Sequence, residues 1–164
     1  MMSFCYPKGQ GAAIPKPGAD PGRFRVEGFF KALYGGTRQR VFSQLRRVAW
    51  KGAKGAGVLR LHKNNRVYLK AALVYNALRK LGPKFTQHIL HSGGYTWRHI
   101  AKSRRLSPHS FGIALDIAPR SGDYWQWDQG KYAYRNRVPL EIVHLFESHG
   151  FIWGGRWFHY DTVH

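Results

Sequence analysis

From Gly28 to Leu115 the chain contains no acidic residue, although 18 of its 27 lysines and arginines lie in that stretch. Only eight carboxylates are available to the whole chain of 164 residues. An ionised carboxylate is costly to bury unless it is paired or coordinated, so each one that falls in an apolar run needs a reason. Asp116 is such a case. It sits in "LSPHSFGIALDI", Leu106 to Ile117, where a histidine precedes it by seven residues and the flanking residues are apolar.

The same charge surplus, formally +19, favours an anionic partner: nucleic acid, an anionic cell-wall polymer or a lipid surface, held by contacts that weaken with salt. The plainer alternative is a generally cationic surface that serves solubility or loose retention. With 43% hydrophobic and 15% aromatic residues the chain is not disordered throughout, and its length suits one domain with a hydrophobic core. No stretch approaches the roughly 20 apolar residues of a membrane-spanning helix. The single cysteine, Cys5, excludes a disulfide within one chain and a thiolate zinc site, so any metal must be held by histidine and carboxylate.

Residues 1–23, rich in Gly, Pro and Ala, read as a flexible leader without the apolar core of a secretory signal, and residues 24–164 as one domain. A short helix is expected within Arg38 to Trp50. From Asn64, the residues Val67, Ala71, Val74, Leu78 and Leu81 recur at helical spacing until Gly82-Pro83 ends the run. Thr86 to His91 reads as a strand. In "GIALDIAP", Ile113, Leu115 and Ile117 alternate with Ala114 and Asp116, which turns Asp116 away from the core side of a strand. Residues 119–137 read as a surface loop. Pro139 opens a helix that Gly150 closes, and residues 151–164 read as strand, glycine turn and strand.

Among nine histidines, His109 and His164 combine with Asp116 into a candidate ligand set. Such donors suit Zn²⁺, and three of them leave a fourth tetrahedral position open for water. Asp161, three residues before His164, stands where a general base for that water would be useful. His159, by its spacing to Asp161, fits a substrate-side role better than a ligand's.

Two segments carry a resemblance. "YTWRHIAKSRRLSPHSFGIALDI", Tyr95 to Ile117, and "FESHGFIWGGRWFHYDTVH", Phe146 to His164, resemble the motifs of the zinc peptidases of bacterial cell walls, the D-Ala-D-Ala carboxypeptidases and L-alanyl-D-glutamate endopeptidases. The resemblance implies an α+β fold of the hedgehog/DD-peptidase kind, a small antiparallel sheet flanked by helices. It implies Zn²⁺ held by His109, Asp116 and His164, with Asp161 as catalytic base, Arg98 stabilising the oxyanion or holding substrate, and Ser107 supporting the site. Gly112, Gly154 and Gly155 would be structural.

The implied substrate is the stem peptide of peptidoglycan, acted on by a monomer at the bacterial cell envelope or in phage-associated lysis. Family members usually continue past the last histidine into a short strand, so an end at His164 reads as a truncated C-terminus. The competing reading is a non-catalytic cationic module of the same fold that binds cell wall or nucleic acid.

Overall fold

The helix with the clearest apolar periodicity is the spine of the protein. In this computed structural model, which describes residues 5–11, 15–23, 26–52, 57–117, 122–128 and 130–164, that helix is α3, Val67–Leu81. It follows α1 (Glu27–Tyr34), α2 (Arg38–Ser43), β1 (Leu45–Ala49) and β2 (Val58–His62), and precedes α4 (Pro83–Thr86) and α5 (Leu140–Ser148). Val67, Ala71, Val74 and Leu78 are buried, one turn apart on one face, while Leu81 stays exposed. The buried face packs on the β1–β2 hairpin and on α5, with Trp50, Ile89, Leu115, Ile117 and Trp153 closing the core. Gly82, at φ 90°, stops the helix in a conformation that a side chain would disfavour. No helix among the described residues is long and apolar enough to cross a membrane.

The fold is α+β, and its sheet is small. β1 and β2 pair antiparallel with Val48 opposite Leu59 and Arg47 opposite Arg60. Val48, Leu59 and Leu61 face the core; Arg47 and Arg60 lie exposed on the other face, two like charges directly across the ladder. A second apolar cluster, Tyr34, Val41, Leu106 and Phe111, joins α1 and α2 to the loop that carries His109.

Several expected elements differ. The short helix expected within Arg38–Trp50 is α2, but most of the rest of that stretch is β1. Thr86–His91 is not a strand: Pro83 occupies the first turn of a new helix, α4, and Gln87–Ile89 continues it as a 3₁₀ turn. Pro139 caps α5 instead of occupying its first position. The Asp116 segment is extended and buries Leu115 and Ile117 as its alternation predicts, but it joins no ladder. Its backbone bonds are split between Gly93 on one side and Val163 on the other. Residues 151–164 likewise form no strand pair; a 3₁₀ turn, Gly154–Arg156, folds the tail back so that Gly154 N donates to His164 O at 2.8 Å. Of the loop expected over 119–137, residues 119–121 and 129 lie outside the described residues, as do 1–4 and 12–14 of the leader.

The described part of the leader is laid against the C-terminal half. Glu147 of α5 and Arg156 form a two-pronged ion pair, Nε to Oε1 at 2.9 Å and Nη2 to Oε2 at 3.3 Å, with side chains only 1% and 4% exposed. The Tyr6 hydroxyl donates to Glu147 Oε1 at 2.6 Å, Gly9 N donates to Oε2 at 2.8 Å, and Arg156 donates onward to the carbonyls of Gln10 and Gly11. Every charge in this buried joint is therefore met, which is the condition for burying it at all.

Burial alone would raise the Glu147 pKa, but the hydrogen bonds from Arg156, Tyr6 and Gly9 outweigh it and hold the carboxyl below its usual range. Its contribution to stability is thus full above the unfolded-state value of about 4.3 and fades as pH falls through the lower folded value. Glu147→Ala strands the Arg156 guanidinium, and chemical denaturation is expected to show a loss of about 3–5 kcal/mol. A loss below about 1 kcal/mol, the range of surface pairs, would show that the joint is not buried in solution.

Candidate metal centre

The chain brings three remote donors together. His109 Nε2 and His164 Nδ1 each stand 3.2 Å from Asp116 Oδ1, and 3.4 Å from one another. Local structure explains each placement. Ser107 caps the 3₁₀ turn Pro108–Phe111 by accepting from His109 N at 3.3 Å, and its own N–H donates to Arg98 O. Gly112 ends that turn at φ 67°, where a Cβ would come within 2.5 Å of the Leu45 side chain, so only glycine lets the chain pass. Asp116 is fixed by two backbone bonds to Gly93, 2.8 and 2.9 Å. His164 is fixed by the Gly154 bond and by its neighbours, Val163 O accepting from Ile117 N and Thr162 O accepting from Trp153 Nε1.

The donor chemistry fits a cation. The Gly94 carbonyl lies 2.8 Å from His109 Nδ1 and can only accept, so that nitrogen carries the proton in the neutral ring and Nε2 turns a lone pair toward the carboxylate. His109 Nε2, His164 Nδ1 and a carboxylate oxygen of Asp116 converge where a positive charge would be shared among them. Tetrahedral metal–nitrogen bonds of about 2.0–2.1 Å put donor atoms roughly 3.3 Å apart, close to the spacings here. His109, Asp116 and His164 are a group that could hold a metal ion, with all three donor atoms within 4.8 Å of one another.

The electrostatics of the two aspartates diverge. With no cation between them, burial would raise the Asp116 pKa, but protonated His109 and His164 rings donate to it and hold it far below the ordinary carboxylate range. Asp161 moves the other way: burial raises it first, the Asp116 charge adds to the rise, and His164, His109 and Arg23 only partly oppose. One carboxylate is thereby kept charged as a ligand would be, and its neighbour is made more basic.

A cleft of about 1290 Å³ opens over these residues. Arg98, Ser107, Asp161 and His159 all line it with the three donors. Arg98 is exposed, and its backbone is clamped by Ser110, whose Oγ accepts from Arg98 N and donates to Arg98 O. His159 is tied to Asp20, with backbone N to Oδ1 at 3.0 Å and Nδ1 to Oδ2 at 2.9 Å, and stands edge-on to Trp125. It is not part of the three-donor group.

Sequence reading missed the supports: Gly93 and Gly94, which orient Asp116 and His109, and Ser110. The doubled glycine in "HSGGY" was the available signal, since paired glycines mark close backbone approach. It also missed the leader residues Asp20 and Arg23, which line the cleft.

Residues 101–164 match the family model described as D-alanyl-D-alanine carboxypeptidase. The resemblance read from the two motifs is borne out over this segment, which contains His109, Asp116, Asp161 and His164. Neither the curated proteins nor the solved structures gave a match. Arg98, Gly93 and the whole leader lie outside the matched segment.

A bound cation stabilises the folded state by mass action, by about 2.7 kcal/mol at a hundredfold excess over Kd. Thermal unfolding with added divalent ions is therefore expected to shift upward for the natural chain and not for His109→Ala. An equal shift in both would place the cation elsewhere.

Proposed function

We propose that the protein is a Zn²⁺-dependent peptidase that hydrolyses peptide bonds in the stem peptides of peptidoglycan, of the D-Ala-D-Ala carboxypeptidase or L-Ala-D-Glu endopeptidase type. The observation that carries this reading is the convergence of His109, Asp116 and His164 at 3.2–3.4 Å within the family segment. Two imidazoles and one carboxylate favour Zn²⁺ over Mg²⁺ or Ca²⁺, which prefer all-oxygen sites.

His109, Asp116 and His164 would hold the ion. When bound, it supplies Lewis acidity toward the scissile carbonyl and the attacking water. Asp161, which lines the same cleft, accepts the proton of that water and delivers it to the leaving amine. Arg98 offers fixed positive charge at the cleft for the oxyanion that develops on the scissile carbonyl. Ser107 and Ser110 hold His109 and Arg98 in place through their backbones. No side chain of the set is a nucleophile, so water adds directly and no covalent intermediate with the protein arises.

The second reading, a non-catalytic cationic module, draws on the hairpin, where Arg47 and Arg60 oppose each other without an acid in the surrounding sequence. Like charges across a ladder are unfavourable, and a polyanion relieves them. In the enzyme reading this face retains the protein on an anionic cell-wall polymer as a single copy; nucleic acid is the lesser candidate.

Digestion of purified peptidoglycan with mass analysis of the products is expected to show stem-peptide cleavage. Asp161→Ala should lower the rate by about 10²–10⁴-fold while zinc content is unchanged. Turnover retained in that variant would remove Asp161 from the role of base, and an inert natural chain that binds no zinc would leave the module reading in its place. Raising salt should weaken retention on the insoluble wall while cleavage of a small soluble peptide changes little. Equal loss of both would mean that the basic face does not tether the protein.

A further inference from the structure

Arg23 is a cation that reaches the metal-centre cleft from outside the family segment. It belongs to the leader, yet it lines the same cleft as His109, Asp161 and His164. Four hydrogen bonds fasten its segment to the C-terminal tail: Phe158 N to Ala19 O, Trp157 Nε1 to Pro21 O, and the two from His159 to the Asp20 carboxylate. The guanidinium lies 5.2 Å over the Trp157 ring, and that ring is 5.9 Å from the His164 imidazole.

Only one edge of Arg23 is spoken for. Nη1 donates to Asp20 Oδ2 at 2.6 Å, whereas Nε–H is buried without a hydrogen-bond partner among the described residues. A buried charged donor left unmet is costly, and an arginine edge is matched in geometry to a carboxylate. The Asp20 bond and the Trp157 face fix the orientation of the group in advance, so little entropy is lost when a ligand arrives. The same Asp20 carboxylate also accepts from His159, so its place beside Arg23 is fixed from both sides.

We propose that Arg23 is a substrate-anchoring residue, its free edge receiving a carboxylate of the peptide beside the scissile bond. This rests on the peptidase reading of the metal centre and sharpens it. The anchored group is either the α-carboxylate at the end of the peptide or a side-chain carboxylate within it. The first makes the protein a carboxypeptidase, and the second allows internal cleavage. The leader then completes the active site instead of merely covering the domain.

The test compares three versions of one stem peptide, unmodified, amidated at its C-terminus and amidated at its side-chain carboxylate, in the zinc-loaded full chain. Calorimetric affinity and kcat/KM are both read. The natural chain should prefer the unmodified peptide to one of the two amides by about 10–100-fold, the range of a hydrogen bond to a charged group, and the disfavoured amide identifies the anchored carboxylate. Arg23→Met should remove that preference, with the change mainly in KM, and Arg23→Lys, which keeps charge over Trp157 without the Nε–H, should fall between.

A preference that survives in Arg23→Met, or a natural chain that binds acid and amides equally, overturns the anchor. Binding without turnover that still loses its acid preference in Arg23→Met would keep the anchor and defeat the peptidase reading. If Arg23→Met fails to fold, as its melting profile would reveal, Arg23→Lys decides by the same ratio.

Discussion

The buried joint between Glu147 and Arg156 is the constraint on which the rest of the structure depends. It gathers three stretches that have no ladder to hold them: the described leader, the end of α5 and the tail that carries His164. The tail begins its return at Gly154, directly beside Arg156, and Trp153 N donates to the same Tyr6 hydroxyl that reaches Glu147. Removing the ion pair would free the turn that aims His164 as well as the wall that carries Arg23. Desolvating two charges is rarely a net gain in stability, so such a joint is better understood as a fixer of geometry than as a source of free energy.

The shortage of carboxylates explains why so few positions carry so much. Asp20 joins the leader to His159, Glu27 accepts from Leu106 N near the His109 loop, Asp123 pairs with Arg137, and Asp128 accepts from Tyr160. With Glu147 in the joint and Asp116 and Asp161 at the cleft, only Glu141 is left on an exposed position. In a chain of ordinary composition most acids decorate the surface. Here almost every acid is a tie between segments distant in sequence, and the basic residues remain as the outer face.

How much was legible follows from where each signal resides. α3 and α5 are visible because a helix writes its buried face into a local period and because Gly82, Pro139 and Gly150 mark their ends. The alternation around Asp116 was visible for the same reason. β1 and β2 were missed because "LRRVAW" sits just after a genuine helical turn, and the glycine-rich "KGAKGAG" that joins it to "VLRLH" was the hairpin signal passed over. Thr86–His91 has strand-like composition, but Pro83 starts a helical turn that continues through it. The donors His109, Asp116 and His164 were legible through spacing and motif. Gly93, Gly94, Ser110 and Arg23 were not, because their roles depend on which backbone lies opposite, and one sequence does not encode that locally.

The same reasoning says why a metal centre can be built with almost no regular sheet. A ladder fixes side chains by repetition, whereas here each donor has its own anchors: two backbone bonds to Gly93 for Asp116, one from Gly154 for His164, and the Ser107 cap with the Gly94 carbonyl for His109. These anchors are independent, so an error in one is not corrected by its neighbours. What makes them concerted is the apolar layer beneath, where Leu115, Ile117 and Trp153 enter one core with α3 and the hairpin. The polar bonds choose the direction of each donor, and the packed core holds the distances between them.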